Sequence, residues 1–331
     1  MTLQVIRSAA GALPLSSYAG AVTDRLMLLD TASLYFRAFF GVPDKVKAPD
    51  GSSVNAIRGL LDIIAKLVTV YQPTQLIACW DDDWRPQWRV DLIPSYKAHR
   101  VVEEVAAAPD VEEVPDALQQ QIPLIRETLD ALGIPIIGAA DHEADDVIGT
   151  LATRADLPVD IVTGDRDLFQ LVDDSRDVRV IYTARGMSNL EIVTDETVVA
   201  RYGVLPSQYA DFATLRGDTS DGLPGVKGIG EKTAATLLRA HGDLAGIRAA
   251  AAAGQLTATA ATRFAEASDY LDVAPTVVQV ATDLDISAPG IALTAPTGAD
   301  LDAVDALAER WNLGTAMGRA LSALACERGS D

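Results

Sequence analysis

Aspartates follow three separate apolar runs in this sequence. The runs RLMLLD, LIACWD and DIVTGD end at Asp30, Asp81 and Asp165. In an open parallel sheet, the carboxyl ends of the strands form the crevice in which ligands bind. One aspartate after a strand is more often a turn or helix-capping residue. Three in equivalent places favour a common site, and in WDDDW we take Asp81, directly after the strand, as the inward residue.

Six more acids stand in three short groups: Glu143, Asp145 and Asp146 at the start of a predicted helix, Asp167 just after Asp165, and Asp218 and Asp221 in RGDTSDGLPG. Acids in a first helical turn are also explained by the helix dipole, and Asp167 alone could simply cap a helix. Nine carboxylates in one crevice would repel each other, whereas Mg²⁺ or Mn²⁺ would turn that repulsion into binding. Two such ions roughly 4 Å apart can hydrolyse a phosphodiester.

A basic and aromatic strip lies in a long charged segment at about 83–116. Its cations alternate with aromatic rings: Arg85, Arg89, Lys97 and Arg100 with Trp84, Trp88 and Tyr96. Charge for the backbone and rings for the bases are typical of a channel for single-stranded nucleic acid. The alternative is a solvated loop whose tryptophans pack onto the body of the protein.

Glycines crowd the segment GLPGVKGIGEKTAATLL at 222–238, which opens an apolar helix. A dinucleotide-binding turn would follow a strand, but a loop containing proline precedes this one. We therefore interpret 222–240 as a helix–hairpin–helix-type turn. Its backbone N–H groups, with Lys227 and Lys232, would bind phosphates without regard to sequence.

Short apolar runs alternate with helical patterns in the first half of the chain. We predict strands at 25–29, 75–80, 134–137, 159–162 and 178–182, and helices at 54–71, 118–132 (regular from about Pro123) and 143–154. This order predicts an α/β fold with a mostly parallel sheet covered by helices on both faces. We divide the chain into an N-terminal extension (1–24), an α/β core (25–208) and a helical region (209–331).

The bulk composition narrows the possibilities further. A formal net charge of −20 over 331 residues means that a nucleic acid could bind only at a local basic surface. No apolar run is long enough to cross a bilayer, so we expect no membrane partner. Two cysteines, Cys79 and Cys326, cannot form a disulfide framework and suit the reducing cytoplasm. Because no sequence feature demands an oligomer, we expect a monomer.

Together these residues resemble the bacterial and phage 5′ nuclease family, of the flap endonuclease and 5′–3′ exonuclease type. The resemblance covers roughly residues 26–240. This segment is similar to the nuclease part of a bacterial family A DNA polymerase, here in stand-alone form. Its motifs occur in the family's order: LLDTASLYFRAFFG, SYKAHR, EADDVIGTLA, VTGDRDLFQL and GDTSDGLPGVKGIGEKTA.

The resemblance implies a PIN-like core, a helical arch at about 83–116, and two or three Mg²⁺ or Mn²⁺ ions bound by the nine acids. It also implies that Arg37, Lys97 and Arg100 contact the scissile phosphate, that Tyr96 stacks on a base, and that Asp165 is essential for catalysis. Duplex DNA would lie on the turn through Gly225, Lys227, Gly228, Gly230 and Lys232, where main-chain carbonyls would hold a monovalent cation such as K⁺. The implied substrates are DNA with 5′ flaps, branches or recessed 5′ ends, and RNA–DNA strands.

Two other hypotheses remain open at this point. The first is a non-catalytic protein that binds DNA junctions, against which the full set of acids speaks, because acids near DNA weaken binding. The second is a related metal-dependent ribonuclease, against which the helix–hairpin–helix-type turn speaks, because it favours duplex DNA.

Overall fold

A six-stranded sheet forms the centre of the computed structural model, which describes residues 24–103 and 110–326, and of residues 103 and 111 the backbone alone. Its strands, in spatial order, are β5 (Ile136–Ile137), β2 (Gln75–Cys79), β1 (Leu26–Asp30), β6 (Val159–Thr163), β7 (Val178–Tyr182) and β8 (Glu191–Val193). The first five are parallel, and β8 pairs antiparallel with β7. The predicted mostly parallel sheet is confirmed, and β8 is an edge strand that the sequence did not reveal.

Helices cover both faces of this sheet, as predicted. Strand β1 shows why: Met27 and Leu29 point into one apolar core, while Leu26 and Leu28 point into the other. Successive side chains of a strand alternate between faces, so a strand covered on both sides must be apolar throughout. The covering helices of the core are α1 (Thr31–Gly41), α2 (Asn55–Tyr71), α4 (Asp116–Gln119), α5 (Ile122–Ala131), α6 (Ala144–Arg154), α7 (Asp195–Tyr202) and α8 (Tyr209–Arg216).

The segment at 83–116 differs from the predicted helical arch. Its described part contains one short helix, α3 (Gln87–Leu92), a single 3₁₀ turn (Ala98–Arg100) and an antiparallel pair of strands, β3 (Val101–Glu103) and β4 (Val111–Glu112). Pro86 precedes α3, and the helix ends before Pro94. A residue that precedes proline is disfavoured in helical conformation, which limits the helix here. Residues 104–109 lie outside the described residues.

The region from residue 209 onward is helical, as predicted. Beyond α8 it consists of α9 (Glu231–His241), α10 (Leu244–Ala252), α11 (Ala258–Glu266), α12 (Ser268–Val278), α13 (Ala299–Arg310) and α14 (Gly314–Ala325). The last two helices return to the α/β core, where Leu313 and Met317 are buried in the same cluster as α2. Arg319 of α14 forms a bidentate ion pair with Asp62 of α2, at 2.7 and 2.9 Å. The predicted N-terminal extension lies outside the described residues, except for Asp24.

Candidate metal centre and nucleic-acid interface

The three aspartates at the strand ends meet at one edge of the sheet. Strands β2, β1 and β6 are adjacent and parallel, so their carboxyl ends lie side by side. Asp30, Asp81 and Asp165 all line one cavity of about 1080 Å³. Asp81 is the residue of WDDDW that lines this cavity, whereas the carboxylate of Asp83 accepts a hydrogen bond from the Arg85 amide at 3.0 Å. The convergence expected from the sequence is present.

Helix α6 brings two further acids to the same cavity. Glu143 is the N-cap of α6, and Asp145 lies in its first turn. The amide of Ala144, the first residue of the helix, donates to Asp81 at 2.8 Å. The N-terminus of α6 is therefore joined directly to the end of β2, and this contact brings its acids to the strand-end aspartates.

Burial raises the pKa values of three of these acids. It raises the pKa of Asp30 to about 7, with further repulsion from Asp81 and Asp165. Burial also raises the pKa of Asp81 to about 6, and that of Asp145 rises well above its ordinary value for the same reason and because of Asp30 and Asp165. A cation in the cavity would relieve both the burial cost and the repulsion.

A second group of acids lies beside the first, beyond the cavity wall. Burial raises the pKa of Asp167, and the charges of Asp165, Asp221 and Asp218 raise it further. Burial also raises the pKa of Asp221. Although burial opposes the change, hydrogen bonds from Ser220 and the charges of two arginines lower the pKa of Asp218. Asp165 interacts with both groups, so the acids form two adjoining clusters around it.

The acids fit a hard divalent cation in their chemistry, because carboxylate oxygens are the ligands that such ions prefer. They line the cavity or lie beside it, without closing into a ready three-ligand site anywhere in the described part of the chain. An ion held there would complete its coordination with water or phosphate oxygens, which is how Mg²⁺ is usually bound.

Three cations face the acids. The ammonium of Lys97 contacts the Glu143 carboxylate, and Arg100 donates to Asp221 at 3.2 Å. Arg37 lines the cavity, and its buried Nε has no hydrogen-bond partner among the described residues. The three predicted phosphate-contacting residues therefore all lie at or beside the acid clusters.

The comparisons with known proteins agree with this arrangement. The model of the 5′-3′ exonuclease N-terminal resolvase-like domain matches residues 25–203, and that of the 5′-3′ exonuclease C-terminal SAM fold matches residues 204–297. A 5′-3′ exonuclease of Streptomyces coelicolor is 60% identical over 301 residues, which are 90% of this chain and 99% of the relative. This chain belongs to the 5′–3′ exonuclease family.

Two further relatives place this family member among its neighbours. DNA polymerase I of Mycobacterium bovis is 44% identical over 223 residues, which are 66% of this chain and 23% of the polymerase. The D15 flap endonuclease of bacteriophage T5 has been solved with metal ions and in a pseudo-enzyme–product complex with DNA and metal ions. Those structures cover 91% of this chain and 99% of theirs, with TM-scores of 0.60 and 0.59 at 18% identity, which shows the fold alone. The predicted resemblance and nuclease class are confirmed.

The position of Asp146 does not fit the metal-ligand role that was expected of it in this exonuclease-family chain. It is fully buried and turned away from the cavity. Its two oxygens accept from Arg89 at 3.0 and 2.7 Å, and from the Ala281 amide at 2.8 Å. Adjacent residues of a helix point about 100° apart, so Asp145 and Asp146 cannot both face the cavity.

The basic and aromatic strip is also different from the expected open channel. Tyr96 is buried, and its hydroxyl donates to Glu143 at 2.6 Å, so the ring is not placed to stack on a base. Arg85 and Arg89 are buried in ion pairs. The indoles of Trp84 and Trp88 donate to backbone carbonyls of the protein, so the alternative of tryptophans packed onto the body is the better description.

Close backbone packing holds Lys97 in place. The Lys97 amide donates to the Asp221 carbonyl at 3.0 Å, and the Ser95 hydroxyl donates to the Gly222 carbonyl at 2.7 Å. Gly222 has φ +70°, and a Cβ there would lie 1.9 Å from the Ser95 carbonyl oxygen, so only glycine fits. Lys97 itself has φ +48°, a strained conformation that concentrates at functional sites.

The glycine-rich segment joins helix α8 to helix α9. Val226 and Ile229 are buried and anchor the turn, while Lys227, Gly228, Gly230 and Lys232 are exposed. Gly225 and Gly228 have positive φ, at +65° and +78°. Arg263 of α11 donates to the Gly228 carbonyl at 3.0 Å and adds a cation that sequence reasoning missed.

Sequence reasoning also missed the aromatic wall of the cavity. Phe36 and Phe40 of α1 line it on either side of Arg37 in sequence, and Phe40 is 72% exposed. The signal was present, because the run FRAFF belongs to the helix that directly follows a strand ending in a site aspartate, and residues four apart share a helix face. Among the described residues, no helix is both long and apolar enough to span a membrane.

Proposed function

We propose that this protein hydrolyses phosphodiester bonds of DNA as a 5′–3′ exonuclease and flap endonuclease with bound Mg²⁺ or Mn²⁺. The observation that carries the proposal is the convergence of Asp30, Asp81 and Asp165 at the ends of three adjacent parallel strands, on a cavity that Arg37 and Lys97 also line. Burial raises the pKa values of Asp30 and Asp81, and that of Asp145 beside them. The name of the Streptomyces relative and the DNA and metal ions bound to the T5 protein support it.

Two groups of residues would hold the ions. Asp30, Asp81, Asp145 and Asp165 form the first, with Glu143 acting through water, and Asp167, Asp218 and Asp221 form the second with Asp165 shared. Ions held there would activate a water molecule and stabilise the leaving oxygen.

The protein's own cations would place the phosphate. Arg37 lines the cavity, and its Nε has no hydrogen-bond partner among the described residues. Lys97 and Arg100 would exchange their carboxylate partners for phosphate oxygens when the acids bind metal. A phosphate that gains negative charge during attack would be stabilised by these preorganised donors.

Duplex DNA would lie on the glycine turn. Lys227 and Lys232 are exposed beside backbone groups of the turn, so their contacts would be to phosphates and independent of base sequence. A K⁺ ion held by the turn carbonyls, 5′ flaps and RNA–DNA strands as substrates, and a monomeric enzyme are parts of the same proposal. Two free cysteines among the described residues suit a cytoplasmic location.

The proposal is tested with flap DNA labelled at either its 5′ or its 3′ end, incubated with Mn²⁺, with Mg²⁺ or with EDTA. We expect release of the flap as an oligonucleotide that requires metal and is lost in Asp165→Asn. The control is Asp130→Asn, at an exposed acid of α5 that does not line the cavity, and this variant should cleave normally. Tight binding without cleavage under any metal condition would show a junction-binding protein instead.

A further inference from the structure

Arg89 is a buried arginine at the base of the 83–116 segment. It is 2% exposed and donates to both oxygens of Asp146, to Glu143 at 2.9 Å and, through Nε, to the Val277 carbonyl at 3.2 Å. Arginine is rarely buried unless it is paired. These bonds join α3, the start of α6 and the end of α12, which are far apart in sequence.

Glu143 connects Arg89 to the phosphate-contacting side of the site. Its Oε1 accepts from Arg89 and from the Tyr96 hydroxyl, and its Oε2 is in contact with the Lys97 ammonium. Lys97 lines the cavity. The position of the Lys97 ammonium therefore depends on Glu143, and that of Glu143 depends on Arg89.

Asp146 completes the group on the side away from the cavity. The Ala281 amide donates to it at 2.8 Å, and the Thr150 hydroxyl donates to the Ala281 carbonyl at 3.2 Å. Helix α6 approaches the backbone at Ala281 so closely that a Cβ at Gly149 would lie 2.5 Å from the Ala281 carbonyl oxygen. Asp146 is thus fixed against the C-terminal helical region.

We propose that Arg89 is a positioning residue for phosphodiester cleavage and that Asp146 is its counter-ion rather than a metal ligand. Arg89 holds Glu143, and through it Lys97, at the cavity, and it ties the helical region to the cleavage site. The kinetic part of this inference rests on the proposed function, whereas its metal-binding part does not.

Charge balance makes the inference testable by a double substitution. Arg89 and Lys97 are two cations facing two carboxylates, Glu143 and Asp146, so the buried group is neutral. Arg89→Met leaves the buried Asp146 charge unpaired, which is costly. Adding Asp146→Asn removes that charge and should restore part of the arrangement. Two residues in one ion-pair network are expected to be non-additive in this way.

The experiment compares Arg89→Met, Asp146→Asn, the double variant and Arg89→Lys with the wild type. For Arg89→Met we expect kcat for flap cleavage to fall roughly 100-fold while KM changes only a few-fold, because orientation rather than substrate binding is lost. The double variant should recover roughly tenfold of that loss. Arg89→Lys should lie between Arg89→Met and wild type, because it keeps the charge without the bidentate geometry.

Calorimetric titration with Mn²⁺ alone, without DNA, separates the two roles of Asp146. We expect Asp146→Asn to bind Mn²⁺ as the wild type does. The matched control is Arg25→Met, which breaks another arginine–aspartate pair, between the partly buried Arg25 and the fully buried Asp160. It should lower thermal stability without changing the kcat of the folded enzyme, so a merely structural effect is distinguished from positioning.

Weaker Mn²⁺ binding by Asp146→Asn, by tenfold or more, would overturn the counter-ion role. A double variant no more active than Arg89→Met would overturn the coupling. If the wild-type chain cleaves no flap DNA, the proposed function fails. Two measurements then still test the pairing of Arg89 with Asp146. One is the Mn²⁺ titration, and the other is the melting temperature of the double variant, which we expect to be higher than that of Arg89→Met.

Discussion

Two kinds of largely buried acid occur in this protein, and one of each kind, Asp145 and Asp146, are neighbours in helix α6. Asp160, inside β6, is fully buried between Arg25 and Arg179, at 2.9 and 2.7 Å. Asp146 is likewise paired with Arg89. Asp30 and Asp145, by contrast, have no basic hydrogen-bond partner among the described residues, and burial raises the pKa of both.

The basic partners of these acids decide whether a cation must come from outside the chain. A buried carboxylate needs a positive partner or it takes up a proton. The chain itself supplies arginines to Asp160 and Asp146, and these acids serve the fold. Among the described residues it supplies no such partner to Asp30 or Asp145, and this is why we propose metal ions as the partners of these two acids.

The largest effect is expected at Asp145. Asp145→Asn should reduce flap cleavage by roughly a thousandfold, comparable to the loss of a key electrostatic group in a preorganised site. In EDTA at pH 8 the same variant should melt at a higher temperature than wild type, because an amide does not repel the neighbouring acids. Single-turnover cleavage and thermal unfolding, with Asp130→Asn as the control, measure both. A variant that is inactive and also less stable would speak against an uncompensated acid.

Asp160→Asn should show the opposite pattern. It removes the shared partner of two arginines, so the free energy of unfolding should fall by roughly 3 kcal/mol. Cleavage per folded molecule should stay at the wild-type level, because Asp160 lies within β6, away from its carboxyl end. Urea unfolding and active-site-normalised turnover measure these two quantities. Unchanged stability would contradict the structural role of the pair.

This contrast marks how far the sequence could predict the site. Three apolar runs that end in aspartate predicted the position of Asp30, Asp81 and Asp165, because the strand period and the parallel order place such residues at one edge. The sequence could not separate Asp145 from Asp146, since both are acids of one helical turn. Their difference depends on Arg89, which lies more than fifty residues earlier in the chain, and on Ala281, more than a hundred residues later.

The same limit explains the differences in the fold. The three-residue strand β8 is too short for an alternating pattern, and it exists because β7 offers it an edge. Tyr96 has the composition of a base-stacking residue, but packing against α12 and the bond to Glu143 bury it. Helices α13 and α14 contain no motif, yet they complete the core around α2. Tertiary contacts decided each case.

A pH effect follows from the raised pKa values. Asp30 and Asp81 titrate near 7 and 6 in the folded protein and near 3.8 when unfolded. The folded state therefore holds more protons between these values, and its stability without metal should decrease as pH rises through 6 and 7. In EDTA we expect a melting temperature several degrees lower at pH 8 than at pH 5.5.

Two comparisons check the origin of this pH effect. Mn²⁺ should restore the melting temperature at pH 8 but have little effect at pH 5.5, where protons compete for the carboxylates. Asp30→Asn should flatten the pH dependence, whereas Asp130→Asn should leave it unchanged. An equal slope in all three proteins would remove the uncompensated acids as its cause.

The smallest effect is expected at the glycine turn, where cations are exposed and unrelated to the buried acids. Lys227→Ala and Lys232→Ala should each weaken duplex binding a few-fold and lower the slope of log affinity against log salt by about 1. Fluorescence anisotropy with Ca²⁺ in place of Mg²⁺ measures the slope. Stability and Mn²⁺ affinity should not change. If the variant that combines Lys227→Ala with Lys232→Ala has the same salt slope as the wild type, the duplex must bind elsewhere.

Mn²⁺ titration at pH 8 without DNA tests the central contrast most directly, when it is applied to wild type, Asp30→Asn, Asp145→Asn, Asp146→Asn and Asp160→Asn. We predict that Asp30→Asn and Asp145→Asn each lose at least one bound ion or bind it at least tenfold more weakly, while Asp146→Asn and Asp160→Asn bind as the wild type does. Loss of binding in Asp146→Asn, or unchanged binding in Asp145→Asn, would contradict the division between acids neutralised by arginine and acids reserved for metal.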